Sequence, residues 1–252
     1  MKLLIQKNWM KPLAILWVAA LLAGCMAAPV GSEDPALQWQ WLFDGSSLDQ
    51  WVGLGQADFP AEQWQIEGDT LHKLNSSADT ERGYGGDLRS REQFQNFELC
   101  FEFKLTQGAN SGVKYNVSER LSAQHGHPSA AIGFEFQVLD DANHPDAKAG
   151  RNGNRTVGGL YDIYPPAANK PPVAPGEWHQ GCVLAETNRI RHVLDGETVL
   201  DYRPGSADFA DRVAASKFAE IKGFAQRRAG YIVLQDHFDE LWYRKIKIRR
   251  LD

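Results

Sequence analysis

The 252-residue sequence predicts an all-β fold, a jelly-roll sandwich of two antiparallel sheets. Three observations carry this prediction. Several runs alternate apolar and polar residues, most clearly Phe97–Leu105 and Phe134–Val138. The runs are short and are separated by Gly, Asn and Asp turn residues. Few windows show the 3.6-residue period of a helix. The best, Asp208–Lys222, reads as one surface helix. No internal repeat is visible.

In chain order, the first segment is a processing signal. Lys2, Lys7 and Lys11 precede an apolar run from Pro12 to Leu22, which ends in Leu22-Ala23-Gly24-Cys25. That is a lipobox, with cleavage before Cys25 and a lipid on its thiol. The apolar run is short for a permanent span; an ordinary signal peptide or short anchor is the plain alternative. Residues 1–24 are thus expected to be a lipoprotein signal peptide, and 25–37, with Pro29, Gly31, Ser32 and Pro35, a tether. Met26 stands where Asp would favour inner-membrane retention in a Gram-negative cell. An outer-membrane lipoprotein facing the periplasm or the cell exterior is therefore expected, held to the membrane through the lipid.

Residues 38–252 are long enough for one β domain with a sizeable core. Trp64–Leu71 reads as two short strands around Gly68-Asp69. Phe97–Leu105 is the cleanest strand, with Glu98, Cys100 and Glu102 on its polar face. Gly112–Val117 places Val113, Tyr115 and Val117 on one face. Cys182–Leu200 holds hairpin strands with turns at Glu186-Thr187-Asn188 and Asp195-Gly196, and Tyr231–Gln235 and Trp242–Arg249 close the domain. A net charge of -5 gives no footprint for nucleic acid. The 8 Trp suit both a sandwich core and a sugar site. With Cys25 lipidated, Cys100 and Cys182 remain. They could pair in an oxidising compartment, but lone cysteines of a large packed domain are more often free. No zinc-type spacing is present.

The stretch Gly133–Asp141 carries the chemistry. Phe134, Phe136 and Val138 point to a core, so Glu135 and Gln137 point the other way. A carboxylate and an amide then share a rigid strand that ends in Asp140 and Asp141. This is either the floor of a sugar-binding cleft or a solvated sheet face. Asp140–Pro175 follows, with little alternation and much Gly, Asn and Pro, and with His144, Asp146, Arg151, Arg155, Tyr161 and Asp162. So long a loop beginning at that strand is expected to form a wall or lid over the cleft.

Separated pieces of the chain add a resemblance. They are Trp41-Leu42-Phe43-Asp44-Gly45, Gly86-Asp87-Leu88, Asn96–Leu99, Asn110-Ser111-Gly112-Val113 and Gly133–Asp140. Leu160-Tyr161-Asp162, Gly176-Glu177-Trp178-His179, Leu234-Gln235-Asp236-His237 and Tyr243-Arg244-Lys245-Ile246 follow in order. On these pieces the chain resembles the 3-keto-disaccharide hydrolase domain family, which has a concanavalin-like jelly roll. It departs from the family at His179 and Lys245, where Asn is common. The resemblance implies action on glycosides whose C3 hydroxyl is oxidised to a ketone. The ketone acidifies the C2 proton, so a base can form an enediolate and the C1 group can leave by elimination. Water then completes a net hydrolysis.

In that chemistry Glu135 is the first candidate base, with a purely substrate-binding role as its alternative. Asp140 and His144 are the next acid–base candidates, and Arg244 is the candidate enolate stabiliser. Arg244 shares the register of Ile246 and Ile248, so it can leave the core only if the strand is bulged. Gln137, Asn110, Ser111, Tyr161, Gln235, Asp236 and His237 are the candidate sugar ligands. A divalent metal held by Glu135, Asp140, His144, Asp236 and His237 is possible, without any fixed-spacing motif. Two other functions stay open: a laminarinase-type glycoside hydrolase and a non-catalytic carbohydrate-binding lipoprotein. The first relies on Glu-x-Asp with a second Glu close behind on one strand; here Glu135-Phe136-Gln137 lacks that partner.

Overall fold

Every alternating run named above is a strand in the computed structural model, which describes residues 38–76, 86–125, 131–226 and 229–251. Cys25, the signal sequence and the tether lie outside the described residues. The larger sheet has eight strands: β1 (Gln40–Phe43), β3 (Trp64–Glu67), β4 (Thr70–Lys73), β6 (Phe97–Leu105), β9 (His179–Glu186), β10 (Arg189–Leu194), β11 (Glu197–Tyr202) and β13 (Leu241–Arg250). The smaller has five: β2 (Trp51–Gly53), β5 (Leu88–Phe94), β7 (Asn110–Val117), β8 (Phe134–Leu139) and β12 (Gly230–Leu234). The strand orders are β11-β10-β9-β6-β13-β4-β3, with β1 also on β13, and β2-β5-β12-β7-β8. All paired neighbours are antiparallel, as in a jelly roll.

The core fills the space between the sheets as the alternation requires. Phe97, Leu99, Phe101, Phe103 and Leu105 of β6 face Phe134, Phe136 and Val138 of β8, all fully buried. Phe101 meets Phe136 edge-on, with ring centroids 5.4 Å apart. Two bulges change the register. Asn116 takes a left-handed φ of 58°, which moves Val117 off the face of Val113 and Tyr115. Val117 packs instead with Leu54, Ala131 and Val233 in a separate cluster, against the expected single face. Lys245 takes φ 49° where the β6–β13 register slips. Tyr243, Ile246 and Ile248 thereby all stay in the core while Arg244 leaves it.

Cys100 and Cys182 lie opposite each other on β6 and β9 and form a disulfide with a Cα–Cα distance of 4.2 Å. The free-thiol expectation is thus corrected: composition could not show that two strands distant in sequence pair with these residues in register.

The described helices are α1 (Glu119–His125), α2 (Asp146–Ala149) and α3 (Ala207–Ala214). Ser206 caps α3 by accepting from Phe209 N–H at 3.2 Å. The helix expected over Asp208–Lys222 stops at Ala214. Ser216 Oγ donates to Val213 C=O at 2.7 Å and accepts from Phe218 N–H at 3.1 Å, offering the backbone a turn instead. Asp162 completes the diversion by accepting from Lys217 N–H at 2.7 Å.

The segment Asp140–Pro175 is a packed wall, not an open loop. Val157, Leu160, Ile163 and Tyr164 belong to the core. Gly158–Tyr161 runs along the outer edge of β8: Gly158 N–H donates to Gln137 C=O at 2.9 Å and Tyr161 N–H to Glu135 C=O at 3.1 Å. An edge strand of the smaller sheet is covered in this way, and Tyr161 is delivered beside Glu135.

Candidate active site

Every residue of β7 and β8 is buried, on the face away from the core as well as on the core face. The outer face of the smaller sheet is therefore covered along β7 and β8, and there the solvated-face reading fails. Under the roof is a cavity of about 320 Å³ whose floor is Asn110, Lys114, Glu135 and Gln137. Lys114 stands opposite Glu135, and Gly112 opposite Gln137. Glycine at 112 is required by the carboxylate: a Cβ there would lie 2.2 Å from Glu135 Oε1. Lys114 Nζ is 3.7 Å from Glu135 Oε2 and donates to Ala131 C=O at 3.1 Å. With its amide nitrogen turned toward Glu135, Gln137 donates to Oε1 at 3.0 Å and to Ser111 C=O at 3.3 Å.

One wall of the cavity is a buried charge network. Lys73 Nζ lies 2.8 Å from Asp236 Oδ1, with both side chains almost wholly buried. Asp236 N–H donates to Asp87 Oδ1 at 2.8 Å, and Ala131 N–H to Asp87 Oδ2 at 3.2 Å. Gly86 makes room for Asp236, since a Cβ at 86 would meet Oδ2 at 2.0 Å. Burial pushes the Asp87 carboxyl up to about 6, against the nearby Lys114 charge and these two N–H bonds; the Asp236 carboxylate adds to the rise. From the ordinary 3.8 up to about 6 the folded chain keeps a proton that the unfolded chain releases. Stability contributed by neutral Asp87 is thus full below about pH 4 and is lost as pH rises toward 6. Asp87→Asn should flatten that decline, which is at most about 1.4 kcal/mol per pH unit. Urea unfolding of both proteins at pH 4, 5 and 6 checks this; curves that stay parallel would contradict it.

The mouth is formed by Tyr161, Lys217, Phe218, Ile221 and His237. Tyr161 OH donates to Asp146 Oδ2 at 2.9 Å. Arg155 bridges Asp146 and Asp162, at 2.8 Å to each. Burial raises the Asp146 carboxyl, but the bonds from Arg155 and Tyr161 outweigh it and hold the group below its usual range. Burial and the Asp146 bond raise the Tyr161 phenol, so it stays protonated.

Of the residues expected from sequence, Glu135, Gln137, Asn110, Tyr161, Gln235, Asp236 and His237 line this one cavity. Gln235 Oε1 is buried there without a hydrogen-bond partner among the described residues. The other four lie outside its lining. Asp140 is a turn carboxylate that accepts from Gly108 N–H at 2.7 Å, Asn143 Nδ2 at 2.7 Å and Ala142 N–H at 3.1 Å. Burial raises its carboxyl, but these bonds win and keep it ionised as a fixed anion. Ser111 points into the sandwich, donating to Gln235 C=O at 2.8 Å and lying 2.9 Å from Tyr243 OH. Arg244, carried out by the bulge, lies on the outer face of the other sheet, 2.6 Å from Glu102 and over the Trp178 ring at 4.0 Å. His144 stands behind His237, ring centroids 5.9 Å apart, and does not line the cavity. Burial, then the His237 charge, lowers its pKa.

Sequence reasoning missed Lys114, Lys217, Asp87 and Lys73. Lys114 had a signal, since it shares the outward parity of Gly112 between Val113 and Tyr115. Lys217, in a turn after a helix, had none. The expected metal set does not converge, because Asp140 is saturated by donors and Asp236 is tied to Lys73. The described residues that could hold a cation together are His144, His237 and Asp239, with ligand atoms within 4.8 Å of one another. His144 Nδ1 already accepts from Asp146 N–H at 3.1 Å, so the neutral ring carries its proton on Nε2. His179, one departure from the family pattern, sits against Asp195 at 2.8 Å on β9, outside the cavity lining.

A jelly roll with a carboxylate, amides and amines in a roofed cavity on its smaller sheet is here a protein of the glycoside hydrolase and lyase class. The chain belongs to the 3-keto-alpha-glucoside-1,2-lyase-like domain family, whose model matches residues 38–249. It is 35% identical over 229 residues to the 3-keto-disaccharide hydrolase of Bacteroides thetaiotaomicron, covering 84% of this chain and 78% of that protein. A crystal structure from Parabacteroides distasonis, of a protein named only provisionally as a glycosyl hydrolase, superposes with TM-score 0.71 at 26% identity, covering 85% of this chain and 94% of that one. A second structure from the same organism, named in the same way, gives 0.63 at 24%, covering 85% and 100%, and shows the shared fold.

Proposed function

We propose that this domain cleaves 3-keto-glycosides by removing the C2 proton with Glu135. One observation carries the reading: a lone rigid carboxylate lies at the cavity floor with a lysine opposite it. Glu135 takes the proton made acidic by the neighbouring ketone. Lys114, 3.7 Å from Glu135, replaces Arg244 as the cation for the charge that develops on the C3 oxygen. Asn110 and Gln137 hold ring hydroxyls. The C1 group departs toward the mouth, where the His237 and Lys217 side chains are placed to meet it.

An ordinary glycosidase mechanism needs two free carboxyl groups across the bond. The other carboxyls of the cavity, Asp87 and Asp236, are occupied by backbone N–H groups and by Lys73. The purified domain should therefore turn over a 3-keto-glucoside and leave the parent glucoside untouched. Efficient cleavage of an unoxidised β-glucan would favour the laminarinase-type reading instead.

We further propose that the protein is a lipoprotein anchored through Cys25 and exported to an oxidising compartment. The Cys100–Cys182 disulfide supports that compartment. Cys25→Ser should accumulate as unprocessed precursor on immunoblots of cell fractions; normal maturation of the variant would end the lipobox reading.

A further inference from the structure

Lys217 has an environment that its part in the scheme above does not explain. Its backbone is fixed, because Asp162 accepts its N–H at 2.7 Å and is itself held by Arg155. That fixes the stem across Tyr161, with Nζ 4.2 Å from the ring centroid and 5.1 Å from that of Phe218. Among the described residues Nζ has no carboxylate within ion-pair distance and no hydrogen-bond acceptor, yet the residue lines the cavity that holds Glu135. Lys114 is the contrast: its amine is engaged with Ala131 C=O and Glu135. Lys217 is exposed to solvent along part of its length, yet crowding by protein, ahead of the opposing Glu135 and Asp162 charges and aided by the Lys114 and Arg155 cations, lowers its pKa. A lysine whose amine has no ion-pair or hydrogen-bond partner among the described residues, with two other cations nearby, is the arrangement that frees an amine for attack on a carbonyl.

We propose that Lys217 is a catalytic nucleophile that forms an imine with the C3 ketone of the substrate. This rests on the ketone-substrate reading above. The nitrogen bonds to C3, and the carbonyl oxygen leaves as water with the two amine protons. A proton from solvent makes the iminium, which acidifies C2 more than the ketone does. Glu135 removes the C2 proton, the electron pair forms the enamine, and the enamine expels the C1 oxygen, which takes a proton from solvent at the mouth and leaves as an alcohol. Hydrolysis of the conjugated iminium consumes the one water that its formation released and frees the lysine and the unsaturated ketone; a second water adds at C1, so no oxidant or reductant is consumed.

The test uses 3-keto-1,5-anhydroglucitol, which has the ketone but no leaving group at C1, together with cyanoborohydride, which reduces iminium ions. The protein should gain the mass of the analogue less one oxygen atom, and peptide mapping should place the adduct on Lys217. Lys217→Arg keeps the charge but cannot form the imine. It should take up no adduct and should turn over a 3-keto-glucoside no faster than Glu135→Gln, whereas Lys114→Arg should still be labelled. An unlabelled protein that turns over the 3-keto-glucoside would overturn the imine and leave the ketone reading standing, as would labelling at another lysine. A protein with neither label nor turnover would overturn both.

Discussion

Glu135→Gln is expected to lower turnover of a 3-keto-glucoside by about a hundredfold to ten-thousandfold, the usual cost of losing a general base. The substitution keeps the shape of the side chain and one oxygen for hydrogen bonding. It removes only the ability to accept the proton and the negative charge facing Lys114. The core does not change, because Phe134 and Phe136 on either side point the other way. The thermal midpoint should therefore stay close to that of the parent while activity collapses. Turnover near the parent value would take the base role away from Glu135. Two nearby carboxylates are already engaged: Asp140 is bound by turn N–H groups and Asp236 by Lys73.

Lys73→Met should destabilise the fold by about 3–5 kcal/mol, the cost of stranding one member of a buried ion pair. Lys73 is completely buried, its ammonium lies 2.8 Å from Asp236 and donates to Leu74 C=O at 2.6 Å. Removing the amine leaves the Asp236 carboxylate beside Asp87 with no cation on it. Asp236→Asn on the Lys73→Met background should restore part of the loss, since an amide removes the charge and its oxygen still accepts from Phe238 N–H. Urea midpoints of the three proteins measure this. A loss below about 1 kcal/mol for Lys73→Met would mean that the pair behaves as a solvent-exposed one.

Much of this molecule was legible in its sequence, for a definite reason. Strands with one core face carry a period of two, so Phe97–Leu105 and Phe134–Leu139 announced both their conformation and the outward direction of Glu135 and Gln137. What failed were features that depend on a single residue's φ or on distant pairing. The left-handed Asn116 and Lys245 moved Val117 and Arg244 to other faces than parity predicted for them. The Cys100–Cys182 bond needed the β6–β9 register. Asp140 looked catalytic because it follows Glu135, but the backbone turns there and its oxygens are used to hold the turn. Lys73 and Asp87 were invisible because they reach the site from parts of the chain with no sequence relation to β8. The resemblance marked Gly86-Asp87-Leu88, yet gave no role to the carboxylate that burial holds near 6.

If Glu135 removes the C2 proton of a ketone-bearing sugar, that proton exchanges with solvent even when nothing can leave from C1. Deuterium uptake at C2 of 3-keto-1,5-anhydroglucitol in heavy water reads this step alone, because that molecule can be deprotonated but cannot eliminate. The parent protein should exchange the C2 proton rapidly, Glu135→Gln should exchange it no faster than buffer, and unoxidised 1,5-anhydroglucitol should not exchange at all. A protein that turns over a 3-keto-glucoside while leaving that C2 proton in place would rule out proton removal by Glu135.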